Sequence, residues 1–273
     1  QFNMLKKLEL SDGDHEELIS YCKSKNISFF STAFDDEGIS YLSSLNFDMF
    51  KVPSGELTNY PYLKAVAKTG LPVILSTGMA NLDEIEKSIN VLVSYGTKKS
   101  ELTVLHCNTE YPTPMIDVNL KAILTIKNAF DVQIGYSDHT LGTEVPIAAV
   151  ALGARVIEKH FTLDRNMKGP DHKASLEPNE LKEMVIAIRN IEKAISGNGI
   201  KEASSSEKKN IHIARKSIHL SRNLKSGSII AEQDIISLRP GDGICTMNWE
   251  SVIGKKVIKD LKKFTKLTLK DLS

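Results

Sequence analysis

Six short runs rich in β-branched and apolar residues recur along this chain, each followed by a stretch with helical character: ISFFSTAF (27–34), FDMFKVPS (47–54), LPVILSTG (71–78), LTVLHCNT (102–109), VQIGYSDH (132–139) and RVIEKHFT (155–162). The runs are nearly continuously apolar, the pattern of strands covered on both faces. Strands that alternate with helices make parallel βα units.

Helix signals stand between the runs. Asp35 or Asp36 can cap the stretch through Leu45, Asn81 can cap the stretch that follows it, and Thr143 with Glu144 opens another. Gly96 and Gly153 occupy places where helix C-caps belong. The longest helical stretch runs from Leu176 to Ile195, with Pro178 in its first turn and Leu181, Met184, Val185, Ile188, Ile191 and Ile195 on one face.

Six βα units fit either an open doubly wound sheet or part of an eight-stranded barrel. The C-terminal ends of the runs favour the barrel, because every one carries polar chemistry: Thr32, Lys51 to Glu56, Ser76 to Gly78, Asn108 to Tyr111, Ser137 to His139, and His160. In a barrel all of these ends face one cavity. Residues 1–26 read as a helix pair rather than a strand, so the expected fold is α/β, a TIM (β/α)8 barrel that lacks its first two βα units in this chain.

Two histidines stand out among those ends. His139 follows an acid and His160 follows a lysine, each at the close of an apolar run, and such a pair can hold one metal ion over the mouth of a barrel. His15, His106, His172, His212 and His219 lack that context. Cys22, Cys107 and Cys245 are odd in number and without metal-type spacing, so all three read as structural thiols in a reducing cytoplasm. No stretch approaches the roughly 18 consecutive apolar residues of a membrane helix, and no signal peptide is visible.

Beyond the barrel region the texture changes. Residues 196–210 (SGNGIKEASSSEKKN) are small and polar and read as a linker. The expected organisation is a barrel domain over 1–196, a linker over 197–210 and a compact, mostly β module over 211–273. Charge is divided along the same line: residues 208–273 carry 14 basic and 6 acidic side chains, a net +8, against −7 for the rest. A solvated basic face and a lid over an anionic substrate both fit that excess. Nucleic-acid binding does not, since the lysines lack interleaved aromatics and no recognition motif is present.

FKVPSGE, ILSTGMA, LHCNTEYPTP, IGYSDHT, IEKHFTLD and KGPDHKASLEP, followed by ARKSI and LRPGDGI, resemble in their order and spacing the bacterial N-acetylneuraminate (sialic acid) synthase family. The C-terminal part resembles the antifreeze-like, or SAF, domain of those synthases. The resemblance implies condensation of phosphoenolpyruvate with the open-chain aldehyde of N-acetylmannosamine, with C–O cleavage and release of phosphate.

It also implies residue roles. His139 and His160 match the metal ligands, for Mn2+ or Mg2+ as a cation that polarises the aldehyde oxygen. Lys51, Ser54, Ser76, Asn108 and Ser137 match the phosphoenolpyruvate site, and a lysine between Phe50 and Val52 inside an apolar run is poorly placed for ordinary solvation. Glu56 matches a carboxylate that accepts or delivers a proton. Thr32, Tyr111 and Asp171 match positions near the sugar. Arg239 matches an arginine reaching into the partner subunit's barrel, which implies a domain-swapped homodimer; Arg215 and Lys216 are further basic candidates.

The sequence departs from the family pattern in places. Ala33 replaces a common proline, Phe264 replaces a usual turn glycine, and the glutamate and lysine of the first two strands have no counterpart. The chain by itself is therefore expected to show little or no synthase activity. A synthase for a related sugar such as legionaminic acid, and a non-catalytic sugar-binding fragment, are the alternatives.

Overall fold

The computed structural model describes Lys6 and residues 8–273. These fall into two compact units, the first ending at Gly197 and the second running from Asn198 to Ser273.

In the first unit, α1 (Asp12–Ser24) opens with a capping box between Ser11 and Asp14, and Asp35 caps α2 (Asp36–Ser44). The remaining elements alternate: β1 (Phe50–Val52), α3 (Tyr60–Ala67), β2 (Val73–Ser76), α4 (Leu82–Tyr95), β3 (Leu102–Cys107), α5 (Lys121–Phe130), β4 (Gln133–Asp138), α6 (Glu144–Ala151), β5 (Val156–Lys159) and α7 (Pro178–Ala194). Asn81 and Glu84 form the capping box of α4, and Gly96 closes that helix at φ 137°, a backbone angle that glycine adopts readily. On α7 the buried stripe is narrower than the apolar pattern suggests. Met184 and Ile188 are buried with Leu181 and Ile191 against them, whereas Val185 and Ile195 lie off that stripe and are exposed.

The five strands form one parallel sheet in the order β1-β2-β3-β4-β5. A sequential order has no switch point, which separates it from a doubly wound sheet. With right-handed crossovers it also places every connecting helix on the same side. The core follows that geometry. Phe50, Val52, Leu75, Val104 and Ile134, all on one face by strand alternation, share a cluster with helical residues such as Leu63, Leu92 and Ile123. The opposite face carries Lys51, Ser76, Cys107, Ser137 and Glu158, linked by the register pairs Cys107 with Ser137 and Ser137 with Glu158. The architecture is α/β, with a curled five-stranded half-barrel.

The first apolar run is not a strand. Residues 27–34 have no ladder partner among the described residues. Phe29 packs edge-on against Phe47 and Ala33 is buried, so the apolar residues are used in packing rather than pairing. Apolar content alone reports burial, while a strand also requires a neighbouring backbone. Of the helix pair expected over 1–26, α1 is present; residues 1–5 and 7 lie outside the described residues.

In the second unit a helix, α8 (Ser205–Ala214), begins inside the stretch read as a linker and runs past its end, started by a capping box of Ser204 with Glu207. Serine followed three residues later by glutamate is a helix-start signal that outweighs the polar composition. β6 (Ser217–Leu220) and β7 (Ile235–Leu238) pair antiparallel. The other β contacts are isolated bridges, including Leu224 with Leu261 and Ile229 with Lys256, so regular strand is scarcer than expected. Ile218, Leu220, Ile230 and Leu267 form this unit's own core, with Trp249 against it. Phe264 sits at φ 66°, the left-handed conformation that explains why glycine suits this turn. No helix among the described residues is long and apolar enough to cross a membrane.

Candidate active site

Strand alternation brings the inner-row side chains together, and the loops just past the strand ends add the rest. Lys51 on β1 is 7% exposed and its Nζ lies 3.4 Å from Glu158 Oε2 on β5. Ser137 on β4 donates its hydroxyl proton to Glu158 Oε1 at 2.7 Å. Glu158 therefore joins a cation from one edge strand to a hydroxyl from the neighbouring strand. Ser76, at the end of β2, is 2% exposed and its Oγ has no hydrogen-bond partner among the described residues. A buried hydroxyl in that state is costly unless a ligand completes it.

Cys107 Sγ connects two loops. It lies 3.3 Å from Ser54 Oγ and accepts from the Gly78 backbone N–H at 3.1 Å. A Cβ on Gly78 would stand 2.5 Å from Ser54 Cβ, so only glycine permits the two loops to approach so closely. Asn108 turns its side chain to the Glu110 N–H at 2.7 Å and its carbonyl to His139.

His139 and His160 come together with ring centroids 5.3 Å apart and planes at 68°. Tyr111 covers both, at 4.0 Å from the His139 ring and 5.3 Å from the His160 ring. His139 Nδ1 donates to the Asn108 carbonyl at 2.5 Å, which fixes the tautomer and leaves Nε2 with its lone pair. Ser137 Oγ is 3.4 Å from that Nε2, but its only proton is committed to Glu158. Burial holds the pKa of His139 below the ordinary histidine value; the Asn108 bond opposes this and the His160 neighbour reinforces it. The neutral ring is the form that ligates a metal.

The donor set thus fits a divalent cation bound by two imidazoles. Two imidazoles would leave such a cation positions open for other ligands; among the described residues no group of three or more His, Cys, Asp or Glu side chains is placed to hold an ion. Burial pushes the Tyr111 hydroxyl up to about 12, and the neighbouring Cys107, Asp171 and Glu158 add to the shift. Tyr111 remains a neutral hydroxyl at physiological pH, with Asp171 close enough to be felt.

The remaining expected residues make no described hydrogen bond to the histidine pair. Glu56 accepts from Asn59 Nδ2 at 2.6 Å, and no described hydrogen bond links it to the histidine pair. Thr32 lies half-buried in the unpaired run 27–34. Asp171 is exposed, and its carbonyl accepts from Ser175 Oγ at 2.8 Å. Arg239 belongs to the second unit, exposed, with Nε donating to the Ala214 carbonyl at 2.9 Å.

Sequence reading passed over Glu158, although a usable signal was present. Glu158 precedes His160 by the same two-residue step that separates Ser137 from His139, and residues two apart share a face of the sheet. Asp138 and Lys159 form a buried ion pair at 2.5 Å, exposed by 0% and 3%, and were passed over as well.

A one-sided parallel sheet with polar chemistry gathered at its carboxyl ends is the arrangement in which α/β enzymes of the barrel type carry their active sites. The chain belongs to the NeuB family: that family's model matches residues 1–201, and the SAF domain model matches 215–273. The chain is 54% identical over 262 residues to N,N'-diacetyllegionaminic acid synthase of Campylobacter jejuni, covering 96% of this chain and 78% of that protein. It is 45% identical over 269 residues to the Legionella pneumophila protein of the same name, covering 98% and 75%. Among solved structures, N-acetylneuraminic acid (sialic acid) synthetase from Leptospira borgpetersenii in complex with citrate is 39% identical with a TM-score of 0.71, over 77% of this chain and 72% of that one.

Proposed function

We propose that this protein is a nonulosonate synthase that condenses phosphoenolpyruvate with the diacetamido analogue of N-acetylmannosamine, giving N,N'-diacetyllegionaminic acid and phosphate. The observation that carries the acceptor is the likeness to the Campylobacter and Legionella proteins, both named for that product. N-acetylmannosamine, the acceptor expected from the motifs, becomes the second reading, favoured by the Leptospira neighbour. The half-barrel is read as part of a TIM (β/α)8 barrel, whose carboxyl-end loops are the usual place for such chemistry.

In the reaction, C3 of the enol bonds to the aldehyde carbon, water adds at C2, and the C2–O bond to phosphate breaks. Lys51 supplies the positive charge for the anionic substrate, and Ser76, with its unpartnered hydroxyl, supplies a donor. Ser54, Asn108 and Ser137 complete the phosphoenolpyruvate side. A divalent ion, Mn2+ or Mg2+, on His139 and His160 would polarise the acceptor aldehyde when bound. Tyr111 and Asp171 are assigned to acceptor hydroxyl recognition with Thr32, and Glu56 to proton transfer once the site is filled. Arg239 is assigned to N-acetyl recognition across a domain-swapped homodimer.

The test is product analysis on the protein expressed from its complete gene. Phosphoenolpyruvate is supplied with N-acetylmannosamine or with the diacetamido analogue, and phosphate and the nine-carbon acid are quantified. Preferential turnover of the diacetamido sugar is expected. Preference for N-acetylmannosamine overturns the acceptor assignment, and absence of phosphate release with either sugar overturns the reaction class.

A further inference from the structure

Each histidine of the pair is preceded by a charged residue, and the structure joins those two residues. Asp138 and Lys159 are Cα partners at the last rung of the β4–β5 ladder. Alternation turns them to the helix-covered side, away from Ser137 and Glu158. Lys159 Nζ bonds Asp138 Oδ2 at 2.5 Å and also donates to the Thr140 carbonyl at 2.5 Å. The other oxygen, Asp138 Oδ1, accepts from the Thr140 N–H at 3.0 Å and the Thr140 hydroxyl at 2.8 Å. Lys159 therefore grips the residue on either side of His139 while standing directly before His160.

The two histidines differ in their own anchorage. The His139 ring is held by the Asn108 carbonyl. No described hydrogen bond reaches the His160 ring; only its backbone carbonyl is held, by the Leu176 N–H at 2.8 Å. Beyond the edge contact with Tyr111 and the Leu176 bond, the placement of the second imidazole relative to the first rests on the backbone that Lys159 pins. A fully enclosed ion pair contributes little net stability over neutral groups of the same shape, whereas groups that orient metal ligands have large effects on affinity.

We propose that the Asp138–Lys159–Thr140 cluster is a positioning device that fixes the separation of His139 and His160, and so sets the affinity of the site for a divalent cation. This rests on the metal reading of the histidine pair given above.

The test is Mn2+ binding followed by electron paramagnetic resonance of the free ion, beside phosphoenolpyruvate binding measured by calorimetry in chelator. The double variant Asp138→Asn/Lys159→Met removes both charges together and leaves neither uncompensated. It is expected to lose about tenfold or more in Mn2+ affinity while phosphoenolpyruvate binding changes less than about twofold. Thr140→Val keeps both charges and the side-chain shape but deletes one bond to Asp138, and should weaken Mn2+ by about threefold; it carries the test if the double variant does not fold. Unchanged Mn2+ affinity in folded variants, or equal weakening of both ligands, overturns the proposal with the metal reading intact. Wild-type protein that binds no Mn2+ overturns the metal reading itself, and the proposal with it.

Discussion

Lys51 and Glu158 stand on the two edge strands of a five-stranded sheet, yet their charged atoms are 3.4 Å apart. Four strand spacings in a flat sheet come to roughly 19 Å. The two side chains fully extended reach about 11 Å between them, with bonds near 1.5 Å. The pair can form only if the sheet curls until its edges face each other across the inner row. The same curl brings Ser76, Cys107 and Ser137 to the surface of one concavity.

Removing Lys51 should be felt chiefly in substrate binding. Lys51→Met is expected to raise the KM for phosphoenolpyruvate by about tenfold or more, the usual size of a lost hydrogen bond to a charged group, with a smaller change in kcat. Glu158→Gln should act in the opposite direction on a simple anion. It keeps an acceptor for Ser137 but frees Lys51 from its counter-charge, so inorganic phosphate should bind about threefold more tightly by calorimetry. An unaltered KM in Lys51→Met would remove Lys51 from the anion site.

Replacing either histidine should instead abolish the metal-dependent step. His139→Ala and His160→Ala are each expected to lower the condensation rate at saturating Mn2+ by about a thousandfold, with phosphoenolpyruvate binding in chelator preserved. Phosphate release at the wild-type rate in either variant would sink the ligand assignment.

The histidine pair and Lys51 were legible because each breaks an apolar run at its carboxyl end, where a polar residue has few structural reasons to be. Glu158 and Lys159 were hidden by their context. Inside IEKH they look like ordinary surface charges, and only the register of β5 against β4 shows that one faces inward and the other lies buried against Asp138. The strand expected at 27–34 failed for the complementary reason, since Phe29 and Ala33 satisfy the hydrophobic pattern by packing alone. The helix at Ser205 was read as linker because three serines weigh on composition, although the spacing of Ser204 to Glu207 marks its start.

Acid should weaken the second unit through Asp234. Its carboxylate is buried at 1% exposure and bonded to Arg222, which holds its pKa below the usual aspartate value, with the Ala231 N–H assisting. A carboxylate with a depressed folded pKa contributes stability that is present above the unfolded value of about 3.9 and lost as pH falls through the folded value. The chain has a single tryptophan, Trp249, in this unit, so its fluorescence in denaturant titrations reports this unit. Asp234→Asn should be less stable than wild type at pH 7, and the gap should narrow progressively as pH falls below about 4 toward the depressed folded value. A gap independent of pH would show that the Arg222 pairing is not the source.

Gly135 sets how closely β4 and β5 approach beneath the site. A Cβ there would lie 2.4 Å from Leu105 Cδ2 and 2.5 Å from the Val156 carbonyl oxygen. The leucine tip can rotate away, but the carbonyl belongs to the backbone of β5 and can yield only by moving the strand. Gly135→Ala is therefore expected to cost about 1–3 kcal/mol, the range for overpacking a close-packed interior, read as a lower melting temperature by circular dichroism. Because Ser137 and Glu158 stand two residues beyond Gly135 and Val156 on the same face, the displaced strand should also lengthen the Ser137–Glu158 contact and loosen Lys51. A variant that melts early yet keeps the wild-type KM for phosphoenolpyruvate would show that strand spacing and anion binding are independent.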